Sequence, residues 1–292
     1  MEKYKDSYRE YDFELEITPS GTKRKNSKIS FIKSFLKILK IAFYLQAPNK
    51  KKKIYGNYLG IFSLFLDPIL RTSLYVFIVV AISGQIDVSR ICKIAVCVTC
   101  WRLHVEIIQS LSRIFINNKN LFTKFYISLP LVIMSEIFKK IYFFGFSLTT
   151  IIVLIYLFGY NPQFSWLIFI IIIFIQIIFS VSIGLICSVI SLNFRDFSSI
   201  LFFPLTVWWY ISPALYDLKS IDISIRKYLE LNPFKYFFET YFYIFFEKNF
   251  SFLIFFNQFK FILLIALSSI FLLFIGVKFI NYNKKFFFTK LY

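Results

Sequence analysis

Three kinds of chemistry lack their usual residues in this sequence. The chain has a single histidine, which excludes catalysis by a histidine pair and a metal site built from several histidines. Its eight glycines are scattered singly, and none stands in the Gly-x4-Gly-Lys-Ser/Thr loop that holds nucleotide phosphates. The sequence therefore predicts a chain that is not an enzyme, holds no metal and binds no ATP itself.

The sequence has four cysteines, and their spacing resembles a metal-binding motif at one place only. Cys92, Cys97 and Cys100 match the opening of a plant-type iron–sulfur motif, and His104 follows on the same predicted helical face. A second pair is missing, since Cys187 stands alone downstream. Metal ligands would also have to lose their protons inside an apolar segment. Thiols that pack between membrane helices are the better interpretation.

Acidic residues are scarce: 16 Asp and Glu stand against 34 Lys and Arg, which gives a net charge of +18. A nucleic-acid-binding protein would set its basic residues beside stacking aromatics. Here the basic residues flank long apolar runs and the aromatics lie inside those runs. This distribution is typical of a membrane protein whose basic loops stay in the cytoplasm, and it argues against nucleic acid as a partner.

Apolar residues are the abundant class. The chain is 58% hydrophobic with a mean hydropathy of +0.67, whereas soluble domains hold roughly 45–50%. Several apolar runs reach the roughly 20 residues that a membrane helix needs. They lack the alternation of apolar and polar residues that is typical of a transmembrane β-barrel strand. We therefore predict an all-α polytopic membrane protein with about six spans, near residues 61–83, 91–116, 131–158, 164–192, 200–215 and 252–277.

The amino-terminal part divides into two segments before the transmembrane domain, which we place at 54–292. Residues 1–26 have mixed charge, show no cleavable signal peptide and are expected to form a cytoplasmic tail. Residues 27–53 are expected to form an amphipathic helix and a basic linker, with Lys33, Lys37 and Lys40 on one helical face. Such a helix lies in the membrane interface, although a soluble helix packed on a partner is the alternative.

The second predicted span is unusually polar. Arg102 and Glu106 are spaced to pair on one helix, as Asp67 and Arg71 are on the first span. A charge at mid-bilayer costs at least about 2.5–3.5 kcal/mol on insertion scales, so this face cannot meet lipid. Either the charges pair against neighbouring helices or they line a water-filled path, and the sequence leaves both open.

Two further segments are not spans. In the basic connector at 117–130, apolar knobs at helical spacing are ringed by lysines, which favours a contact helix; a tight turn in the headgroups is the alternative. Between the fifth and sixth spans, Asn232-Pro233 begins an apolar stretch that Lys235, Glu239 and Glu247 interrupt. That stretch is too short and too charged to cross, and we expect a re-entrant or interfacial helix.

These segments together resemble the membrane subunit of type-2 ABC exporters, in the branch that exports polysaccharide, O-antigen and teichoic acid. The resemblance is carried by residues 55–62, the connector at 118–126, Asn193-Phe194-Arg195-Asp196, and the stretches 208–216 and 231–241. Two departures stand out. Asp67-Pro68 replaces a common Asn-Pro, and Tyr241-Phe242-Tyr243 stands where the family has an arginine after the acidic position.

The resemblance implies a role for several sets of residues. The connector would dock on a soluble ATPase subunit, which binds the ATP and Mg²⁺, and the stretch after the fifth span would form re-entrant helices at the outer mouth. The substrate would be a glycan or teichoic-acid-type polymer on a polyprenyl diphosphate lipid. Aromatic rings could stack on its sugars, and anchoring at the membrane interface is the alternative role for those rings. The ATPase contact would be Asn118, Lys119, Asn120, Leu121, Phe122, Lys124 and Phe125; the re-entrant segment, Asn232, Pro233 and Glu239; the substrate path, Trp101, Arg102, Glu106, Trp208, Trp209 and Tyr210.

The expected assembly is a homodimer with two ATPase subunits, because a transporter fused into one chain would show an internal repeat and this sequence has none. Basic segments place both termini in the cytoplasm, with the protein in the cytoplasmic (inner) membrane. Two other functions stay open. One is an exporter of drugs or small lipids from the same superfamily. The other is a membrane-embedded glycosyl- or acyltransferase, for which Arg102, His104 and Glu106 would be the polar cluster.

Overall fold

The architecture is a bundle of apolar helices. A computed structural model describes residues 15–18, 21–24, 40–42, 44, 60, 62–85, 87–119, 129–194, 196–218, 221–247 and 252–291. The elements within those ranges are β1 (Leu15–Thr18), β2 (Gly21–Arg24), α1 (Phe62–Ser83), α2 (Val88–Ser112), α3 (Ile114–Asn117), α4 (Leu129–Leu157), a 3-10 turn (Phe164–Leu167), α5 (Ile168–Asn193), α6 (Phe197–Ile200), α7 (Phe202–Ile211), α8 (Ile223–Leu229), α9 (Pro233–Phe246) and α10 (Phe252–Leu291).

Four helical segments are long and apolar enough to cross a membrane: Phe62–Ser83, Leu129–Leu157, Phe164–Asn193 and Phe259–Ile280. They coincide with predicted spans one, three, four and six, and they confirm the all-α membrane class. Helix α2 has 25 residues and is about 38 Å long at 1.5 Å per residue. Its length is therefore sufficient, and its lower hydropathy comes from the polar side chains described below.

The fifth and sixth predicted spans differ in extent from the helices observed there. The fifth span was expected at 200–215, but α6 and α7 contain only 4 and 10 residues and helix ends at Ile211. Pro213 explains this end, because the residue before a proline is pushed towards extended backbone, and Ser212 has a ψ of 138°. The sixth span was expected to end at 277, whereas α10 has 40 residues and continues to Leu291. Lys278, Lys284, Lys285 and Lys290 therefore lie on a helical extension of the sixth span.

The second predicted span is also interrupted near its end. Helix α2 stops at Ser112, Arg113 takes a non-helical conformation, and α3 follows as a single turn. The bundle thus has two recognisable ends. The connector end is where α1 begins, α2 and α5 end, and α4 begins. The turn end is where α1 and α4 end, and there Gly84 and Gly159 take the left-handed φ values of 67° and 91° that reverse the chain.

The core lies around α2 and α5. Helix α5 packs on α2 and α10, and α2 also packs on α4 and α1. Gly184 allows a close approach of α5 to α2, since a Cβ there would lie 2.9 Å from the Leu111 Cβ. Small residues at such crossings are how membrane helices gain packing contacts without help from water. Buried cysteines at 92, 97, 100 and 187 fill the same core as free thiols.

The predicted amino-terminal segments are described only in part. Strands β1 and β2 form an antiparallel hairpin inside the predicted tail, with Leu15 opposite Arg24 and Thr18 opposite Gly21. It is the only sheet within the described residues. Of the predicted interfacial helix, residues 40–42 are helical, with Lys40 exposed and Ala42 buried. Lys33 and Lys37 lie outside the described residues.

Candidate functional site

The polar side chains of α2 lie on two different sides of that helix. Arg102 and Glu106 are four residues apart and share one face, which points to α1 and α4. His104 is two residues from each of them, and two residues are about 200° apart around an α-helix. His104 accordingly points to α5. The three side chains that a transferase would need do not converge, and this separation argues against that alternative.

The first side of α2 carries a continuous chain of opposite charges. Asp67 on α1 contacts both Arg71, at 3.0 Å from Nε to Oδ1, and Arg102. Arg102 Nε donates to Glu106 Oε1 at 2.8 Å. Glu106 Oε2 lies 3.4 Å from Lys140 Nζ on α4. The order along this charge chain is therefore cation, anion, cation, anion, cation, and it links helices α1, α2 and α4.

Ion pairing makes these charges tolerable inside an apolar bundle. An unpaired charge in the membrane is expensive, and removing one partner of a buried pair typically costs about 3–5 kcal/mol because the other charge stays behind. Arg102 has two carboxylate partners, and 28% of its side chain is exposed. The charges thus pair across helices, which is the first interpretation left open by the sequence, and they also border open space.

That open space consists of two cavities. The first, of about 260 Å³, lies between α1, α2 and α4 and is bordered by the charge chain together with the Ser63, Thr99 and Ser147 side chains. The second, of about 610 Å³, lies at the connector end and is bordered by Arg113, Asn117, Asn118, Glu136 and Lys139, among others. Glu106 and Lys140 border both. Their ion pair therefore stands where the two cavities adjoin.

A cluster of aromatic rings occupies the opposite side of α2. Trp101 lies 4.5 Å from Phe234 between ring centroids, and His104 lies 4.6 Å from Phe234 and 5.3 Å from Trp208. Trp209 also contacts Trp101, at 5.6 Å. Aromatic pairs in such edge-to-face arrangements contribute about 0.5–1.5 kcal/mol each beyond their buried area. The aromatic cluster therefore holds α2, α7 and α9 together.

A network of hydrogen bonds also connects α2, α5 and α9. Ser180 Oγ donates to the Gln176 carbonyl at 2.7 Å, so it accepts from His104 Nδ1, at 2.7 Å, and the proton belongs on that nitrogen. Gln176 Nε2 donates to the Cys100 carbonyl at 2.8 Å, and its Oε1 accepts from the Tyr241 hydroxyl. Every member is buried. The polar groups in the centre of the bundle are thus used in fixing α9 to its neighbours.

Helix α9 begins at the predicted Asn232-Pro233. The Asn232 Oδ1 accepts from the Phe234 N–H at 3.0 Å and from Trp208 Nε1 at 3.0 Å, while its Nδ2 donates to Ser212 Oγ at 2.9 Å. Proline suits the first turn, because the N–H it lacks would have no helical partner. Helix α9 has 14 residues, about 21 Å, which is too short to cross a bilayer. It has the length expected of the re-entrant segment.

The short helix α8 before it carries an exposed charged group. Asp222 caps α8 by accepting from the Ser224 N–H, and that bond holds the pKa of its carboxyl below the usual value. Glu230 accepts from Arg226 at 3.0 Å and lies 3.7 Å from Lys235, and these cations lower its pKa in the same way. Glu239 follows Lys235 by one helical turn and is partly buried. Acidic and basic side chains thus meet where α8 leads into α9.

The predicted substrate-path residues fall into two groups. Arg102 and Glu106 border the cavities. Trp101 and Trp209 are only 7% and 2% exposed and belong to the aromatic cluster, so in this conformation they lie in the core and line neither of the two cavities. Trp208 is partly buried in the same cluster, whereas Tyr210 is 53% exposed on α7.

The predicted ATPase contact is described at its start. Asn118 ends α3, and its Nδ2 donates to the Ile114 carbonyl at 3.0 Å; Lys119 is exposed. Arg113, just before α3, donates to the Ser198 carbonyl at 3.3 Å and to Ser199 Oγ at 3.4 Å on α6. The remaining contact residues lie outside the described ranges: Asn120, Leu121, Phe122, Lys124 and Phe125.

Several residues of the site were not singled out from the sequence. Gln176 could have been noticed, because it is the single amide in the apolar run that forms the first half of α5. Lys140 was visible as a charge near the start of a span. Nothing in the sequence pairs it with Glu106, which is 34 residues away. Within the described residues, no three His, Cys, Asp or Glu side chains are grouped to hold a metal ion.

Comparison with known proteins gives two findings. Residues 51–246 match the model of a family described as ABC-2 type transporter. The chain is also similar to the O-antigen export system permease protein RfbA of Myxococcus xanthus, with 27% identity over 201 residues. That similarity covers 68% of this chain and 77% of the relative. The matched region contains the charge chain, both cavities and the aromatic cluster.

Proposed function

The chain belongs to the ABC-2 type transporter family, and from that premise we propose that it is the membrane subunit of a polymer exporter. Its cargo is a lipid-linked polysaccharide or a teichoic-acid-type polymer, which crosses the cytoplasmic membrane. A separate soluble subunit hydrolyses the ATP. The observation that carries the proposal is the family match over two thirds of the chain, together with a relative that is named for O-antigen export.

The interior of the bundle supports a transport role. A protein that only anchors a partner needs no charged residues between its membrane helices, because each one is costly there. Here a charge chain borders two adjoining cavities, of about 260 and 610 Å³. Polar space of this kind is what a transporter of phosphate- and sugar-bearing cargo requires.

The connector supports the coupling to an ATPase. Arg113 at its base bonds to Ser198 and Ser199 on α6. A displacement of the connector would therefore be passed to α6 and α7 through this guanidinium. In the proposed cycle, ATP closes the ATPase pair, the connector from Asn118 to Phe125 moves with it, and the membrane helices follow.

The assembly is proposed to be a homodimer with two ATPase subunits, in the inner membrane and with both termini in the cytoplasm. The surface of α7 offers apolar side chains that are well exposed, including Phe203 at 72% and Tyr210 at 53%. The charged group at Arg226, Glu230 and Lys235 lies next to exposed apolar side chains of α8, including Ile225 and Tyr228. Lipid would be a poor neighbour for those charges, whereas a second copy or an aqueous lumen would accommodate them.

Deleting the gene tests the cargo. We expect lipid-linked polymer to accumulate inside the cells and to disappear from their surface, and we expect the wild-type gene to restore export. Polymer on the two sides is measured by enzymatic digestion of intact and opened cells. Normal surface polymer in the deletion strain, with loss of resistance to a drug or of a small lipid, would instead favour the small-molecule exporter.

Cysteine labelling tests the orientation of the connector. All four native cysteines are buried, so Lys119→Cys at the connector end and Asn161→Cys at the turn end can be compared with little background. An impermeant maleimide should label Asn161→Cys in intact cells and Lys119→Cys only in opened ones. The reverse pattern would rule out a cytoplasmic ATPase docked on the connector.

A further inference from the structure

The charge chain has an excess of one positive charge. Its three cations are Arg71, Arg102 and Lys140, and its two carboxylates are Asp67 and Glu106. Both ends of the charge chain are cations, Arg71 and Lys140. Each terminal cation shares its carboxylate with Arg102 at the centre, so within the described residues neither end is fully neutralised. In a medium of low dielectric constant, an uncompensated charge attracts an anion strongly.

The cavity beside this chain is large enough to hold one. Its volume of about 260 Å³ is many times the ~30 Å³ that a water molecule occupies in the liquid. It is only partly enclosed, and Arg71 at one side is half exposed, with 52% of its side chain accessible. A ligand can therefore reach the charge chain from the surface of the bundle between α1 and α4.

The position of the cavity indicates where such a ligand comes from. Arg71 follows the start of α1 by nine residues and Lys140 follows the start of α4 by eleven, which place them about 14 and 16 Å from the connector end at 1.5 Å per residue. A hydrocarbon core is about 30 Å thick. Helix α4 is about 44 Å long and extends beyond that core, so the charge chain lies between the middle of the bilayer and the headgroups on the connector side. The leaflet that can supply a ligand is therefore the one next to the connector.

We propose that this cavity binds the phosphate group of a membrane lipid headgroup, held by the two terminal cations of the charge chain. Arg71 offers its guanidinium in the paired geometry that suits phosphate oxygens, and Lys140 contributes a compact positive charge from the other side. Asp67 and Glu106 hold the three cations in place and prevent a larger positive excess. The acyl chains of the lipid remain outside, between α1 and α4.

This site deepens the proposed function and rests on it for one point only, the identity of the lipid. A transported polyprenyl diphosphate carries phosphate of the kind that this cavity selects. A resident anionic lipid carries the same group. The test below measures binding without transport, so its failure would leave export standing, and a failure of export would leave the binding result intact.

Native mass spectrometry of the purified chain in detergent provides the measurement, with phosphatidylglycerol, polyprenyl phosphate and phosphatidylcholine as probes. The double variant R71Q/K140Q removes both terminal cations. We expect it to lose at least tenfold in retention of the two anionic lipids and to keep its weak retention of phosphatidylcholine. Retention of the anionic lipids at the wild-type level would overturn the proposal.

A matched control has the same change of charge. Lys139 is the neighbour of Lys140 on α4 but pairs with Glu136 beside the other cavity, and Arg226 pairs with Glu230 on α8. The variant R226Q/K139Q should therefore retain both anionic lipids within twofold of the wild type. An equal loss in both double variants would show that only overall charge matters, and this would also overturn the proposal.

A second variant separates binding from folding, because it is expected to improve binding. D67N removes a carboxylate and leaves Arg71 and Arg102 with more uncompensated charge, so anionic lipids should be retained several-fold better. A purely structural charge chain predicts no gain. Competition identifies the source of the phosphate: inorganic phosphate or pyrophosphate at millimolar concentration should displace little lipid, whereas full displacement would overturn the lipid as the ligand.

Discussion

At the scale of single residues, Arg102 makes the contacts that join three helices. Its guanidinium contacts Asp67 of α1 and Glu106 of its own helix, and Glu106 in turn reaches Lys140 of α4. Without the arginine, two carboxylates would remain close together beside a single lysine and the exposed Arg71. Such an arrangement combines repulsion between like charges with the desolvation of both.

We therefore expect Arg102→Gln to destabilise the protein by about 3 kcal/mol, near the lower end of the range for a broken buried pair, because the side chain is partly exposed. The measurement is the apparent Tm of the purified protein in detergent. Arg226→Gln is the control, since Arg226 pairs with the exposed Glu230 at the end of α8, where water screens the interaction and little stability is at stake. Equal shifts in the two variants would contradict the role given to Arg102.

The role of His104 cannot be predicted from its residue type alone. A lone histidine beside Arg102 and Glu106 in the sequence is compatible with catalysis, but helical geometry turns it to the other side of α2. There it donates to Ser180 and lies among aromatic rings. The neighbours of a side chain in space, which depend on how helices pack, decide its role.

At the scale of elements, the crossing of α2 and α5 depends on Gly184. A methyl group there would lie 2.9 Å from Leu111 Cβ and 3.4 Å from the backbone of Ile108. Neither helix can move without disturbing the core, so Gly184→Ala should cost about 1–3 kcal/mol through overpacking.

Gly145 on α4 provides the matched comparison, because a Cβ at that position meets nothing within 4 Å. Alanine there improves helix propensity, and Gly145→Ala should be neutral or stabilising by up to about 1 kcal/mol. Thermal unfolding of the two variants side by side checks the crossing. Equal stability of the two proteins would show that α2 and α5 do not approach as closely as described.

Helix α9 is fixed at its first residue. Asn232 serves as the cap and also binds Trp208 and Ser212. Asn232→Ala should remove about 1 kcal/mol for the cap and leave the partly buried Trp208 N–H unpaired, at a further cost of about 1 kcal/mol. A red shift of tryptophan emission should accompany the lower apparent Tm.

Asp222→Ala is the control for this effect. Asp222 also caps a helix, but α8 is exposed and the bonds of Asp222 stay within that helix. Only the cap itself is lost there, so the apparent Tm should fall less than in Asn232→Ala, and the tryptophan spectrum should not move. If the two alanine variants behaved alike, α9 would not be anchored to α7 through Asn232.

At the scale of the whole molecule, the sequence predicts the long apolar helices well. The starts and ends of α1 and α4 lie within about two residues of the predicted spans and those of α5 within about four, because uninterrupted apolar runs and turn residues define them. The fifth span was predicted to end four residues beyond the observed helix end, since the apolar pattern continues past Ile211 while Pro213 ends the helix. Hydropathy alone does not predict this helix end, because the proline acts on the backbone conformation and not on the apolar character of the segment.

The interior of the site could be predicted only in part. Pairs within one helix, such as Arg102 with Glu106, follow from spacing. Pairs between helices, such as Lys140 with Glu106 or Gln176 with Tyr241, depend on the rotation and tilt of each helix, which the sequence pattern leaves free. The cavities follow from those same angles. The interfacial lysines and most of the connector lie outside the described residues and stay predictions.

The central claim is that this chain is a conduit that takes its energy from another protein. Transport in proteoliposomes tests it most directly: the chain is reconstituted with and without a purified ABC ATPase subunit, and lipid-linked polymer reaching the opposite face is measured after addition of ATP. We predict ATP-dependent translocation only when both proteins are present, and none with an ATPase that cannot hydrolyse ATP. Hydrolysis of ATP by the chain alone, or no translocation by the complete assembly, would contradict the account.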